Sequence, residues 1–360
     1  SIRFNDDDSA YLTRTPGSAG NQRTFTFSTW VKFCTIKADN TLFSSWIASG
    51  ASAYALIYID GTFNLRFEDQ NNTKIITDQV FRDTSAWYHV VVRVDTTDST
   101  SGDRYQMYIN GSRVTSFKTE TQPAVNYQTN VNKTQPHYLG RNGYSAAMLY
   151  SDLYQAETHF IDGTALDASS FGETNSDGVW VPKAYDGSYG TNGFYITGET
   201  AGDLGEDFSG NNNDFTSSGL TTADQMLDTP TNNFCTLNPV EPNWGGAVTL
   251  SDGNLALAGA SGTVWNNAVA TFKTLPSTGK WIWASEPNTS GGGRGDPWIV
   301  NETGLASRNN YVYIDANGWE TTFDSSSVHT VLNNGAGRNA SFSYGAGDFN
   351  VVCFDADSKK

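Results

Sequence analysis

The chain has 360 residues, of which 22 are Lys or Arg and 38 are Asp or Glu, so its formal net charge is −16. A chain this acidic repels a phosphate backbone, which argues against nucleic-acid binding, and no run of about 18 apolar residues is present that could insert into a membrane. Aromatic residues make up 13% of the sequence, a density that predicts a folded protein rather than a disordered one.

Apolar and polar residues alternate with a period of two along much of the chain. The first clear alternation covers residues 24–33, and others cover 87–94 and 105–109. Because successive side chains of a strand point to opposite faces, this period predicts half-buried β-strands. His89 and His159 lie within such patterns, and we expect them to be packing residues.

Turn-forming dipeptides lie between the predicted strands. Asp-Gly and Asn-Gly tolerate positive φ at both central positions of a tight hairpin, so each predicts a reversal between two strands. They are Asp60-Gly61, Asn110-Gly111, Asp252-Gly253 and Asn317-Gly318. The only helical signal is a single turn at Asp167–Phe171. Short strands separated by turns predict an all-β protein built from β-sandwiches.

The composition changes near residue 165. Residues 166–243 are rich in Gly, Asn, Asp, Ser and Thr, and the alternation resumes at 247. We therefore predict a first sandwich over 1–165, a connector over 166–243 and a second sandwich over 244–360. Aromatic residues within the connector, such as Trp180 and Tyr185, favour an ordered, irregular segment that packs on the sandwiches over a flexible linker.

Three segments of the first region resemble the laminin-G-like, concanavalin A-like lectin/glucanase superfamily. They are Phe25–Lys32 (FTFSTWVK), Trp87–Asp95 (WYHVVVRVD) and Tyr105–Gly111 (YQMYING), in the order in which that family has them. The resemblance implies a concanavalin A-like jelly roll and carbohydrate binding.

The stretch that runs from residue 159 into the connector is similar to phage virion proteins. The segments are His159–Leu166 (HFIDGTAL), Gly178–Tyr185 (GVWVPKAY) and Asp207–Phe215 (DFSGNNNDF). In those proteins such a run follows a lectin-like domain. The resemblance implies a fibre, spike or capsid-decoration protein at the virion surface, a homo-oligomer that contacts other virion subunits and a host-surface polysaccharide. The alternative is a secreted bacterial lectin or accessory module that binds polysaccharide by itself.

The last third resembles a SPRY module. Gly279–Ala284 (GKWIWA) and Gly347–Asp357 (GDFNVVCFDAD) match two of its strands, whereas Ala284-Ser285 departs from the usual acidic and β-branched pair. The family continues into a further hairpin beyond the position of Lys360. The resemblance therefore implies a second sandwich that is incomplete at its C-terminus, with an edge that another chain covers.

No catalytic spacing is present: the sequence lacks the paired carboxylates of a glucanase strand, H-E-x-x-H and G-x-S-x-G. We therefore expect no enzyme and no cofactor. Asp95, Asp98 and Asp103 share one acidic loop and form a candidate calcium site, the alternative being a hydrated turn.

Six tryptophans near turns or segment ends are candidate glycan-binding platforms, because a flat aromatic ring stacks on the C–H face of a sugar. The alternative for each is a place in the core. They are Trp46, Trp180, Trp244, Trp265, Trp298 and Trp319.

Overall fold

The computed structural model describes residues 1–37, 40–46, 53–70, 73–143, 149–240, 248–259, 278–285, 298–300, 318–323, 328–333, 336–341, 350–355 and 357. These residues form β-strands and short 3₁₀ turns, which confirms the all-β prediction. Within this described part, no helix is both long and apolar enough to cross a membrane. The chain divides into two compact units, Ser1–Thr271 and Phe272–Lys360.

The described residues of the first unit form nineteen strands, β1 to β19. In chain order they are Ile2–Phe4, Tyr11–Arg14, Thr24–Phe33, Asn40–Trp46, Tyr54–Ile59, Asn64–Asp69, Thr73–Val80, Tyr88–Asp95, Tyr105–Ile109, Ser112–Arg113, Phe117–Thr121, His137–Leu139, Leu153–Asp162, Gly172–Thr174, Trp180–Pro182, Phe194–Ile196, Thr216–Ser218, Val248–Ser251 and Ala256–Gly259.

Two large sheets form the body of this unit. A seven-stranded sheet has the order β1-β13-β3-β8-β9-β10, with β16 also paired to β13, and an eight-stranded sheet has the order β11-β7-β6-β5-β4-β12-β2-β17. One apolar core combines residues of both, including Phe27 and Val92 from the first and Ile57 and Phe67 from the second. The observed arrangement is a β-sandwich.

The alternating runs and turn dipeptides predicted these strands well. Alternation over 24–33 corresponds to β3, and the runs near 90 and 107 correspond to β8 and β9. Asn110 and Gly111 have φ angles of 47° and 83° and form the predicted two-residue turn between β9 and β10. The hairpins at Asp60 and Asp252 form as well, but with loops longer than two residues, since Ile59 pairs with Leu65 and Ser251 pairs with Ala256. Residues 311–317, which include the predicted strand before Gly318, lie outside the described residues.

Residues of the predicted connector are an integral part of the sandwich. β16 pairs antiparallel with β13 in the seven-stranded sheet, and β17 pairs with β2 at the edge of the eight-stranded sheet. The predicted helical turn is present as a 3₁₀ turn at Ala168–Ser170, capped by the Asp167 carboxylate, which accepts from the Ser169 amide. The connector is therefore ordered, and it adds a strand to each sheet.

The connector also covers the outer face of the seven-stranded sheet. Val91 and Ile161 on that face pack against Phe171, and Trp30 and Trp87 form a second cluster there. The prediction that β3 and β8 are half-buried was therefore wrong, because both faces of these strands are covered. Ser28 and Lys32 on the outer face tolerate burial because their hydrogen bonds are made within the protein, to His89 and Asp228.

The β18–β19 hairpin is anchored on the same unit, although it follows the boundary predicted at 243. Arg3 donates to the Asp252 carbonyl at 3.1 Å, and the Tyr154 hydroxyl donates to the Gly253 carbonyl at 2.9 Å. Both donors belong to the seven-stranded sheet. These contacts hold the hairpin loop against that sheet.

The second unit contains strands β20 to β25. They are Lys280–Ser285, Trp298–Val300, Gly318–Phe323, Val328–Asn333, Ala336–Ser341 and Asn350–Asp355. Strands β21 to β24 form a four-stranded antiparallel sheet in chain order, and β20 pairs with β25 from Lys280↔Asp355 to Ser285↔Asn350. The two segments that resemble SPRY strands are thus hydrogen-bonded neighbours.

Candidate functional site

Trp180, one of the six candidate tryptophans, is used within the fold. Its indole Nε1 donates to Nδ1 of His89 at 3.0 Å, and its ring stacks on the imidazole. Trp30 also stacks on His89, with ring centroids 4.8 Å apart. Burial lowers the pKa of His89 to about 3, so the ring is neutral at physiological pH. Trp180 therefore packs the connector against the seven-stranded sheet, and its ring is engaged with His89.

His159 occupies a second aromatic stack on the same sheet. Its ring lies 4.2 Å from that of Tyr195 and nearly parallel to it, and its Nδ1 is 2.9 Å from the Tyr189 hydroxyl. Burial lowers the pKa of His159 to about 3. Both histidines are packing residues in the described structure, and the outer face of the seven-stranded sheet is closed by the connector.

The outer face of the eight-stranded sheet differs in chemistry. The strand registers align one outward-facing residue from every strand into a single row, which we call the cross-sheet row. Its members are Thr216, Thr13, Tyr138, Ser44, Leu56, Glu68, Lys74 and Thr121. Paired residues of antiparallel strands share a face, so the row combines hydroxyl, aromatic and charged groups with the aliphatic Leu56. Its middle members Ser44, Leu56 and Glu68 are buried.

Three tyrosines surround one guanidinium beside this row. The Arg141 Cζ atom lies 4.4 Å from the ring centroid of Tyr11, 4.6 Å from that of Tyr138 and 5.8 Å from that of Tyr150. Arg141 is 7% exposed, whereas the tyrosines are partly exposed. We call these four residues the Tyr–Arg cluster. A cation within about 6 Å of an aromatic face is attracted by the ring quadrupole, so each group orders the others.

Trp46 lies on the same outer face, at the end of β4. Its ring stacks on that of Tyr54 with centroids 4.3 Å apart, and it is 6% exposed. Tyr58 lies further along, with the Arg66 guanidinium 5.6 Å from its ring centroid, and Arg66 is paired with Glu68. Trp46 is therefore part of an aromatic surface layer but not an exposed platform.

The Tyr–Arg cluster has the chemistry that a sugar ring requires. Phenol rings present apolar faces, while their hydroxyls both donate and accept hydrogen bonds. Burial raises the pKa of the Tyr138 hydroxyl, an effect that the Arg141 guanidinium partly opposes, so this hydroxyl stays protonated at neutral pH. A flat ring, a bifunctional hydroxyl and a fixed cation converge within one patch.

The other candidate tryptophans give less information. Trp244 and Trp265 lie outside the described residues. Trp298 is the first residue of β21, and Trp319 is the second residue of β22. These two strands are paired, with Ile299 opposite Trp319.

The three aspartates of the candidate calcium site accept hydrogen bonds from nearby residues of the protein. The Asp95 and Asp98 carboxylates accept from the amides of the second residue that follows each of them. The Asp103 carboxylate accepts from Arg113 at 2.7 Å, which lowers its pKa. Across the described ranges, no group of three or more His, Cys, Asp or Glu side chains could hold a metal ion. Each of the three carboxylates thus accepts hydrogen bonds from neighbouring backbone or side-chain groups.

The segment Asp207–Phe215 is held in place by hydrogen bonds from its own side chains. Both carboxylate oxygens of Asp207 accept backbone amides, Oδ1 from Tyr195 and Oδ2 from Asn213, each at 2.8 Å. The Asn213 amide in turn donates to the Gly193 carbonyl at 2.8 Å. The Asp- and Asn-rich sequence therefore provides the side chains that close this loop against β16.

Sequence reasoning missed the Tyr–Arg cluster. Tyr138 stood in a visible alternation with His137 and Leu139, but nothing local set it beside Tyr11 or Tyr150. The antiparallel register of β12 on β2 and the bridge between Arg141 and Tyr150 create the cluster. The sequence-based prediction considered tryptophans as sugar-binding rings, and the Tyr–Arg cluster contains none.

Comparison with protein families agrees with the sheet topology. Residues 5–153 match the family model Laminin_G_3, described as the concanavalin A-like lectin/glucanases superfamily. The matched region covers most of both large sheets, including all members of the Tyr–Arg cluster. This part of the chain is similar to concanavalin A-like lectin domains, and its fold is consistent with a concanavalin A-like jelly roll. No curated protein sequence matches the chain.

Several solved structures have a distant likeness. A heptameric SAP-like pentraxin from Limulus polyphemus is 17% identical with a TM-score of 0.30, over 44% of this chain and 71% of that one. A putative carbohydrate-binding protein from Bacteroides ovatus is 13% identical with a TM-score of 0.36, over 60% and 57% of the two chains. Domains LG4-5 of the mouse laminin α1 chain are 10% identical with a TM-score of 0.33, over 96% and 69%.

Proposed function

We propose that the first unit binds a glycan through the Tyr–Arg cluster and that the whole chain is a structural protein of a bacteriophage virion. In this role it is a fibre, spike or capsid-decoration subunit that attaches to a polysaccharide on the host surface. The observation that supports glycan binding is the convergence of three partly exposed tyrosine rings on Arg141, on the outer face of a lectin-type sheet.

The virion assignment is supported by the sequence similarity of 159–215 to phage virion proteins. Because β16 and β17 complete the two sheets, the lectin-like region and the phage-like run form one folding unit. A protein that carries both is suited to display on a particle surface. Other virion subunits are then its partners, and a SPRY-like second unit extends the displayed surface.

Glycan binding is tested on an array of bacterial polysaccharides with the full chain. We expect Tyr138→Ala to weaken binding to the recognised glycan about tenfold or more, which corresponds to roughly 1.4 kcal/mol. The matched control is Tyr185→Ala, since Tyr185 is also partly exposed but lies on the connector. Equal binding by wild type and Tyr138→Ala would contradict the assignment of the site.

The virion role has its own test. Immunogold electron microscopy with an antibody to this chain should label phage particles at several sites, as expected for a repeated subunit. Glycan binding without any particle labelling would favour the alternative, a secreted bacterial lectin or accessory module.

A further inference from the structure

Lys32 is a buried primary amine that the proposed function does not use. It lies on the outer face of β3, and its side chain is 1% exposed. Three oxygens of the 228–234 loop surround its Nζ atom: Asp228 Oδ2 at 2.7 Å, Asn233 Oδ1 at 2.9 Å and the Phe234 carbonyl at 2.6 Å. An amine, a carboxylate and a carboxamide therefore meet at one point.

The neighbouring contacts orient each group. Asp228, whose side chain is 4% exposed, accepts the Trp87 indole N–H on Oδ1 at 2.9 Å, which leaves Oδ2 facing Nζ. The Asn233 amide nitrogen donates to the Ser85 carbonyl at 2.8 Å, so its nitrogen points away from Lys32 and its carbonyl points toward it. The hydrogen bonds therefore hold the Lys32 amine beside Cγ of Asn233, the carbon that carries the Asn233 carbonyl oxygen.

We propose that Lys32 and Asn233 join in an intramolecular isopeptide bond. Asp228 takes a proton from the Lys32 ammonium, and the neutral amine attacks Cγ of Asn233 to form the new C–N bond. A proton from the attacking nitrogen passes through Asp228 to Nδ2, and the Cγ–Nδ2 bond breaks. The products are a secondary amide and ammonia, which carries away the proton first taken by Asp228. No oxidant or other reactant is needed.

The environment favours this reaction in two ways. Fixing a nucleophile and an acceptor in contact replaces a bimolecular encounter by a unimolecular step, and the buried carboxylate acts as the general base that activates the amine. Asn233 itself is exposed, which gives the leaving ammonia a path to solvent. Because Lys32 and Asn233 are 201 positions apart in sequence, the bond ties β3 covalently to the end of the connector.

The test is intact mass spectrometry of the full-length protein, followed by digestion with trypsin. We expect a mass lower than the sequence mass by one ammonia, no cleavage after Lys32, and a branched peptide that joins Lys32 to Asn233. Asn233→Ala should restore both the full mass and the cleavage. The matched control Asn232→Ala, at an exposed neighbour whose backbone pairs with Thr229, should keep the mass loss.

The variant Asn233→Asp provides a second check. Its cross-link to Lys32 would release water instead of ammonia, so the cross-linked variant has the same mass as the cross-linked wild type. Lys32→Arg keeps the positive charge and should show no loss. Succinimide formation at Asn110-Gly111 also releases ammonia, but it would persist in Asn233→Ala and give no branched peptide. A wild-type protein of full sequence mass that trypsin cleaves after Lys32 overturns the proposal, as does a mass loss that survives in Asn233→Ala.

Discussion

Three buried histidines should make the first unit sensitive to acid. Burial lowers the pKa of His89 to about 3, of His137 to about 4 and of His159 to about 3, against an ordinary value of about 6.5 in the unfolded chain. Below pH 6.5 the unfolded chain therefore binds protons that the native state does not. The stability that these neutral rings provide is complete above pH 6.5 and is lost as pH falls toward their native pKa values.

The magnitude follows from proton linkage. Between pH 7 and pH 5 each histidine should lower the free energy of unfolding by about 2 kcal/mol, or about 6 kcal/mol for three. Asp152 acts in the opposite direction, since burial raises its pKa to about 6 and the native state takes up its proton in the same interval. It restores about 1 kcal/mol, so these four groups together account for a loss of about 5 kcal/mol.

Urea denaturation of the wild type and of His159→Gln at pH 7 and pH 5 measures this effect. The substitution costs stability at both pH values, but the difference between them should shrink by about 2 kcal/mol. His137→Gln is an independent test at a site where the imidazole Nε2 accepts the Asn132 amide. If the free energy of unfolding of both variants depends on pH in the same way as that of the wild type, the reasoning is refuted.

Two further substitutions test the packing of the connector. Asp224→Ala removes the buried carboxylate that lies 2.9 Å from the Arg3 guanidinium and leaves Arg3 with only its contacts to the more exposed Asp252. It should cost about 3 kcal/mol in urea denaturation; a cost below about 1 kcal/mol would contradict the buried pair. Gly190→Ala places a Cβ 2.2 Å from a carbonyl oxygen of β13 at φ 71°, whereas Gly178→Ala at φ 79° meets nothing within 4 Å. Gly178→Ala should therefore cost about 1 kcal/mol, and Gly190→Ala at least about 1 kcal/mol more; equal costs would show that the connector does not pack there.

The strands were predictable because their signals are local. Alternation over 24–33 and the Asn110-Gly111 turn depend only on the pleat of a strand and on the φ preference of two residues. The burial of the polar face of β3 was not predictable in this way. Ser28 and Lys32 look like solvent-facing residues until the partners that satisfy them, His89 and Asp228, are brought in from distant parts of the chain.

The candidate site, too, was predictable only as far as its signals are local. The aromatic content and the lectin-type motifs indicated a carbohydrate-binding domain, but tryptophans near turns were a poor guide to its surface. Trp46 and Trp180 are held by Tyr54 and His89. Which aromatic rings remain accessible is decided by strand register and by what covers each face, and both are long-range properties.

A crystal structure of the full chain with the glycan identified on the array tests the central claim most directly. We predict a sugar ring on the outer face of the eight-stranded sheet, stacked on Tyr138 or Tyr150 and hydrogen-bonded to a neighbouring hydroxyl. A glycan bound on the connector side, over the seven-stranded sheet, would contradict that claim.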